Sequence, residues 1–179
     1  MSKSPHRSFA QITRADLKRL ARLGLEALDD RFRRRAYSRA YANRLLALCL
    51  CQGAARHYVE RDRRTDANQI WGGVQDFDVW AFFCEIPDQP FPYRGRVGTK
   101  DFGSSKFGRN PDDDPRFLGR RIDVMGRSIG ARRSESRMAA IQRYLQEGQT
   151  ATARELAQRP VVVLWPDSLC GTAIRPPKP

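Results

Sequence analysis

The stretch Val74-Gln75-Asp76-Phe77-Asp78-Val79-Trp80-Ala81-Phe82-Phe83 decides how this chain is read. Its β-branched and aromatic content predicts a strand. Asp76 and Asp78 alternate with Phe77 and Val79, so the two acids share one face, with roughly 7 Å between their Cα atoms. Phe77 and Val79 then turn to the core. Two carboxylates this close repel, and each raises the other's pKa unless they share a cation. A hard divalent ion resolves the conflict, because Mg²⁺ takes one or two carboxylates together with phosphate oxygens. A third acid on a neighbouring strand would let two ions sit about 4 Å apart, the arrangement that serves phosphoryl transfer. Asp123, alone in the apolar run Ile122-Asp123-Val124, is the candidate. The competing structural reading pairs these buried acids with some of the chain's 28 arginines.

Working outward, Leu45-Leu46-Ala47-Leu48-Cys49-Leu50-Cys51 reads as a buried strand, with a helical start as the alternative because Leu and Ala favour helix, and it stops at Gln52-Gly53, where a helical turn over 54–58 is expected. Residues 60–73 read as a polar loop ending in Gly72-Gly73. Upstream, Thr13 and Asp16 resemble a capping box, and Leu17, Leu20, Ala21, Gly24, Ala27, Leu28 and Phe32 give an amphipathic helix over 14–32. The cluster Arg31, Arg33, Arg34 and Arg35 closes it, as a solvated helix end or a phosphate patch. Downstream, 84–119 carries five prolines and five glycines, long for a structureless loop; a short hairpin near 96–99 or a lid is expected. Arg121–Met125 is a strand stopped by Gly126. Helices over 134–147 and 152–158 and a strand over 161–165 follow.

The expected architecture is α/β (α+β): a mixed sheet of about four to five strands with helices mainly on one face. A single domain is expected over 12–168, with a disordered N-terminus over 1–11 and a Pro-rich tail over 169–179. Its 179 residues are one domain's length, and 40% hydrophobic with 30% charged residues describes a globular chain. No apolar run is long enough for a membrane span, and the polar Met1–Ala10 predicts no secretory signal. Cys49, Cys51, Cys84 and Cys170 form neither a C-x-x-C pair nor a zinc spacing, and read as core thiols in a reducing, cytoplasmic setting. The net charge of +13 favours polyanionic partners: nucleotide phosphates, RNA or other nucleic acid, or an acidic protein.

Gln52-Gly53-Ala54, then Asp76-Phe77-Asp78-Val79, then Ile122-Asp123-Val124, resembles the nucleotidyltransferase fold of the polymerase-β-like superfamily. The resemblance spans about residues 45–125 and rests on the motif positions. It implies a nucleotidyltransferase that moves a nucleoside monophosphate from a nucleoside triphosphate to an unidentified hydroxyl acceptor, with Mg²⁺ or Mn²⁺ as cofactor. Gly53 and Ala54 would line the phosphate site, Asp76 and Asp78 would hold metal, and Asp123 would bind metal and orient the nucleophile. Ala54 stands where the family usually has Gly or Ser, and the gap from Gly53 to Asp76 is longer than usual. The alternative is a catalytically inactive module of the same fold that binds nucleic acid or an acidic partner. A two-metal nuclease would use the same acids.

Among the remaining candidates, Lys100, with Lys106 and Arg109, belongs to a glycine-rich basic stretch that is not a P-loop but could close over a triphosphate. Asp112-Asp113-Asp114 reads as a solvated loop triplet. His57 follows the glycine turn and reads as structural more readily than catalytic. Trp71 and Trp80 could stack bases, though Trp80 reads more readily as a core residue.

Overall fold

The computed structural model describes residues 6–60, 73–91 and 96–175. Most of the 60–73 loop, with Trp71, and the end of the Pro-rich tail lie outside the described residues. Helix α1 (Arg14–Arg34) begins with the expected capping box: Thr13 Oγ1 accepts from the Asp16 N–H, and the Asp16 carboxylate accepts from the Thr13 N–H at 2.7 Å. A single turn, α2 (Ala36–Arg39), leads into β1 (Leu45–Cys51), which passes directly into α3 (Gln52–Val59). Strands β2 (Phe77–Cys84), β3 (Arg96–Asp101) and β4 (Arg121–Ile129) follow, then α4 (Arg137–Glu147), α5 (Ala151–Leu156), β5 (Val161–Trp165) and the short β6 (Ala173–Ile174).

The strands form one mixed sheet in the order β3-β4-β2-β1-β5-β6. Strands β2 and β4 run parallel; every other pair is antiparallel. Six strands therefore replace the expected four to five. The additional pairing comes from β3 on one edge and from β6, which falls in the segment read as tail. Strand β4 also runs past Gly126, where the sequence reading stopped it. That glycine lets the Phe91 ring pack against the strand, since a Cβ there would overlap the ring.

Helices cover both faces, which corrects the expectation of one. Period-two alternation along the strands divides the core in two. Phe77, Val79, Ala81 and Phe83 of β2 and Ile122 and Val124 of β4 face α1 and the α3 residues Ala54 and Ala55. Phe82, Ile129, Ala47, Cys49, Cys51 and Val163 face Ala140, Ile141 and Leu145 of α4 and Leu156 of α5. On this second face α4 packs beside Phe82 and Ile129, and Asp78, Trp80, Asp123 and Met125 line a cavity.

Residues 6–11, read as disordered, run beside the sheet. Ser8 and Val74 exchange backbone hydrogen bonds of 2.9 and 2.7 Å, and Ile12 is fully buried. Segment 102–120, read as a loop or lid, packs inward through Phe102 and Phe107, both buried against Phe77. Its base is a close approach of two backbones: a Cβ at Gly119 would collide with the Gly103 backbone. Backbone cannot move aside as a side-chain tip can, so Gly119→Ala should destabilise the protein by roughly 1–3 kcal/mol. Urea unfolding checks this; an unchanged midpoint would mean that the two backbones can part.

Candidate active site

The site lies at the C-terminal end of β1 and the N-terminal ends of β2 and β4. Antiparallel pairing sets Cys51 opposite Asp78, and parallel pairing sets Asp78 opposite Asp123. The chain thus brings the Gln52-Gly53 turn and two acids from different strands to one end of the sheet. Asp76 precedes β2 and joins the same cluster through Arg121. Thr99 of β3, in register with Asp123, donates its hydroxyl to Asp123 Oδ1 at 3.2 Å and fixes that carboxylate's orientation.

Arg121 is the feature the sequence reading did not isolate. Two residues before Asp123, it lies on the same strand face. Its Nη2 donates to Asp76 Oδ2 at 3.3 Å, its Nη1 lies 3.7 Å from Asp113 Oδ1, and its Nε lies 3.0 Å from Asp123 Oδ2. The Nε contact lacks hydrogen-bond alignment. Asp113, read as part of a solvated triplet, instead has its side chain 4% exposed and, among the described residues, its Oδ2 has no hydrogen-bond partner. Asp114 does behave as a surface residue, held by Arg116. Aspartates are usually exposed, so no composition rule separates Asp113 from its neighbours. The signal lies in the path of 102–120 alone.

Asp78 has no ion pair among the described residues. Burial, and then the charges of Asp76 and Asp123, raise its pKa to about 7. Asp76 is also raised by burial, with Arg121 opposing the shift. Arg121's own pKa is raised: burial acts to lower it, but Asp123, Asp113 and Asp76 outweigh that. Three carboxylates, Asp76, Asp113 and Asp123, thus contact the Arg121 guanidinium, and Asp78 stands beside them. Among the described residues, no three His, Cys, Asp or Glu side chains converge closely enough to hold a metal ion by themselves.

Two cavities meet at Asp78. One, of about 510 Å³, is lined by Gly53, Ala54, Arg7, Arg56, Arg159 and the acids Asp76 and Asp78. Here α3 begins, and the N–H groups of its first turn have no partner within the helix. A Cβ at Gly53 would meet nothing within 4 Å, so glycine there keeps space open. The other cavity, of about 670 Å³, has Trp80, Met125, Arg96, Arg121, Arg127 and Asp123 on its walls. Gln52 and Glu155 line both. Gln52 has a positive φ of 56° and spans the gap to α5, donating to Glu155 at 3.3 Å and accepting from Arg159 at 3.0 Å. A non-glycine residue in this backbone region costs on the order of 1 kcal/mol, which these tethers help to offset.

The structure thus brings together Gly53, Ala54, Asp76, Asp78 and Asp123. It places Lys100 elsewhere, correcting that expectation. Lys100 neighbours Thr99 on β3 and so points through the opposite face, where it pairs with Asp30 of α1 at 2.7 Å. Lys106 is held by Asp16 at 2.8 Å. His57 is buried and structural: its ring contacts the Ala10 carbonyl at 2.9 Å and accepts from the Gly73 N–H at 3.0 Å. No helix among the described residues is long and apolar enough to cross a membrane. Comparison with protein-family models, curated proteins and solved structures finds no match for the chain.

Proposed function

We propose that the chain is a metal-dependent nucleotidyltransferase of the polymerase-β-like kind, transferring a nucleoside monophosphate from a nucleoside triphosphate to a hydroxyl acceptor. The observation that carries this reading is the convergence at Asp78. An in-register partner acid, Asp123, stands on one side, and a helix N-terminus with Gly53 and three arginines on the other. Helix N-termini with free N–H groups and nearby guanidinium groups favour phosphate oxygens. The triphosphate belongs in the cavity of Gly53, Arg7, Arg56 and Arg159. The acceptor belongs in the cavity beside Trp80 and Met125.

The donor set fits a Mg²⁺-type ion, which needs only one or two carboxylates when phosphate oxygens complete its shell. Asp78 and Asp123 would hold it, with Asp76 as a further carboxylate, and the ion would neutralise charge on the phosphates. The acceptor hydroxyl oxygen bonds to the α-phosphorus, and the bond from that phosphorus to the oxygen bridging to the β-phosphate breaks. Pyrophosphate leaves, and the hydroxyl proton passes to Asp123. Thr99 holds Asp123 for this role, while the arginines of the triphosphate cavity bind the leaving group.

Thermal shift of the full chain with each nucleoside triphosphate and Mg²⁺ or Mn²⁺ tests the reading. At a hundredfold excess over Kd, stabilisation should reach about 2.7 kcal/mol. It should require metal and triphosphate together, and vanish in Asp78→Asn measured against its own baseline. No shift with any triphosphate would sink the proposal.

One observation favours the inactive-module reading: Arg121 already engages Asp76 and Asp123. That reading expects strongly salt-dependent RNA binding that needs no metal and survives Asp78→Asn.

A further inference from the structure

We infer that Arg121 and Asp113 form a displaceable internal cation: a divalent ion entering between Asp78 and Asp123 must dislodge the Arg121 guanidinium, which turns onto Asp113. The inference rests on the metal-site reading above and adds what controls cation entry.

Three observations carry it. The Arg121 guanidinium touches three carboxylates from three separate segments: Asp76 before β2, Asp113 in segment 102–120 and Asp123 on β4. Its contacts are unequal in kind. Nη2 makes a directed hydrogen bond to Asp76, whereas the Nε approach to Asp123 is a charge contact without hydrogen-bond alignment. A contact of that sort yields first when a divalent ion competes for the same oxygen, because hydrogen-bond strength falls steeply with misalignment. Finally, Asp113 offers somewhere to go. Its carboxylate is buried at 4% exposure, and Oδ2 has no hydrogen-bond partner among the described residues, although Oδ1 is already 3.7 Å from Arg121 Nη1. An unpartnered buried carboxylate oxygen is costly. Rotating the guanidinium toward Asp113 would satisfy it while keeping the bond to Asp76.

The backbone around Asp113 supports a fixed receiving position. Asp113 N–H donates to the Asn110 carbonyl at 3.1 Å, and Arg109 Nη2 donates to the Asp113 carbonyl at 3.3 Å. Neighbouring Arg120 is fully buried, donates to the carbonyls of Phe107, His6 and Gln75, and has only a charge interaction with Asp113. Among the described residues, Arg121 is the guanidinium within ion-pair distance of the Asp113 carboxylate, and it is the one that moves. Without Asp113 it would have to leave Asp123 for solvent.

The test is Mn²⁺ binding to the full chain without nucleotide, read by titration calorimetry or by the resonance of free Mn²⁺. Arg121→Gln should bind Mn²⁺ at least tenfold more tightly than wild type, equivalent to about 1.4 kcal/mol. Arg127→Gln, on the same face but without a carboxylate contact among the described residues, controls for general charge and should change Kd by less than threefold. Asp113→Asn should weaken binding severalfold in wild type and leave it unchanged in the Arg121→Gln background, a non-additivity that reports coupling between the two residues. If Arg121→Gln does not fold, Arg121→Lys keeps the charge but not the fork and should still bind more tightly than wild type. Equal affinities for wild type and the Arg121 variants, or equal effects of Asp113→Asn in both backgrounds, would overturn displacement. If Asp78→Asn abolishes binding in that event, the metal site itself stands. Mn²⁺ binding indifferent to Asp78 would overturn both readings, and no Mn²⁺ binding in any variant would overturn displacement while leaving a metal site completed by phosphate oxygens to the triphosphate experiment.

Discussion

Phe77→Ala is expected to cost about 3–5 kcal/mol of stability, the range for removing a buried aromatic ring. Phe77 is fully buried, with its ring 4.9 Å from Phe102 and 5.4 Å from Phe107, and those two are 5.6 Å apart. This triad holds segment 102–120 onto the start of β2. The loss should therefore be local in character as well as large. In amide exchange, segment 102–120 should lose protection before the β1–β5 pairing does. Asp113 rides on that segment, so the acid cluster should loosen with it. Uniform loss of protection across the sheet would show that the segment is not held by Phe77.

Asp78→Asn is expected to stabilise the protein at pH 8 while abolishing the proposed nucleotidyl transfer. The folded-state pKa of Asp78 is about 7, raised by burial and by Asp76 and Asp123, against an ordinary value of 3.8. Below about pH 4 the carboxyl is protonated in both folded and unfolded chains and contributes nothing. Between pH 4 and 7 the unfolded chain releases this proton and the folded protein keeps it, so stability falls as pH rises. Above pH 7 the folded protein bears the full penalty of an ionised, crowded carboxylate. Removing that charge should gain roughly 2–4 kcal/mol at pH 8, with the advantage shrinking toward zero near pH 4. Denaturant unfolding in EDTA at pH 4, 6 and 8 measures this. A variant less stable than wild type at pH 8 would mean that a partner stabilises the Asp78 carboxylate. A functional group that costs stability is what a site built for binding or chemistry requires.

The two predictions together separate what each residue of the quoted stretch does. Phe77 and its even-spaced companions Val79 and Ala81 stabilise the α1 face. Asp78, on the other face, carries a carboxylate whose pKa is raised by burial and by Asp76 and Asp123, so its charge is expected to work against stability. Alternation along one strand thus assigns opposite energetic roles to adjacent positions.

Much of this was written in the sequence. The capping box of α1, the apolar run of β1, the alternation of β2 and the lone acid of β4 are local signals, and each element formed. A period of two separates Asp78 from Phe77 and Val79, whereas Asp76, expected on the same strand, lies just before β2 and reaches the cluster through Arg121. Local pattern fails where a residue's surroundings come from distant segments. Lys100 and Thr99 are adjacent, and only the pairing of β3 with β4 decides that Thr99 meets Asp123 while Lys100 meets Asp30. Asp113 is one of three consecutive aspartates, and only the inward path of 102–120 buries it.

The sequence by itself determined α1, β1, β2, β4, α4 and β5, and singled out Asp76, Asp78 and Asp123 as candidate acids, because strand and helix periods and side-chain chemistry are properties of a few neighbouring residues. The tertiary structure alone decided that Asp78 and Asp123 stand in register, that Arg121 and Asp113 complete the cluster, and that Asp78, Trp80, Asp123 and Met125 line one cavity. Those outcomes depend on strand order and on contacts between residues tens of positions apart, which the spacing along one segment does not encode.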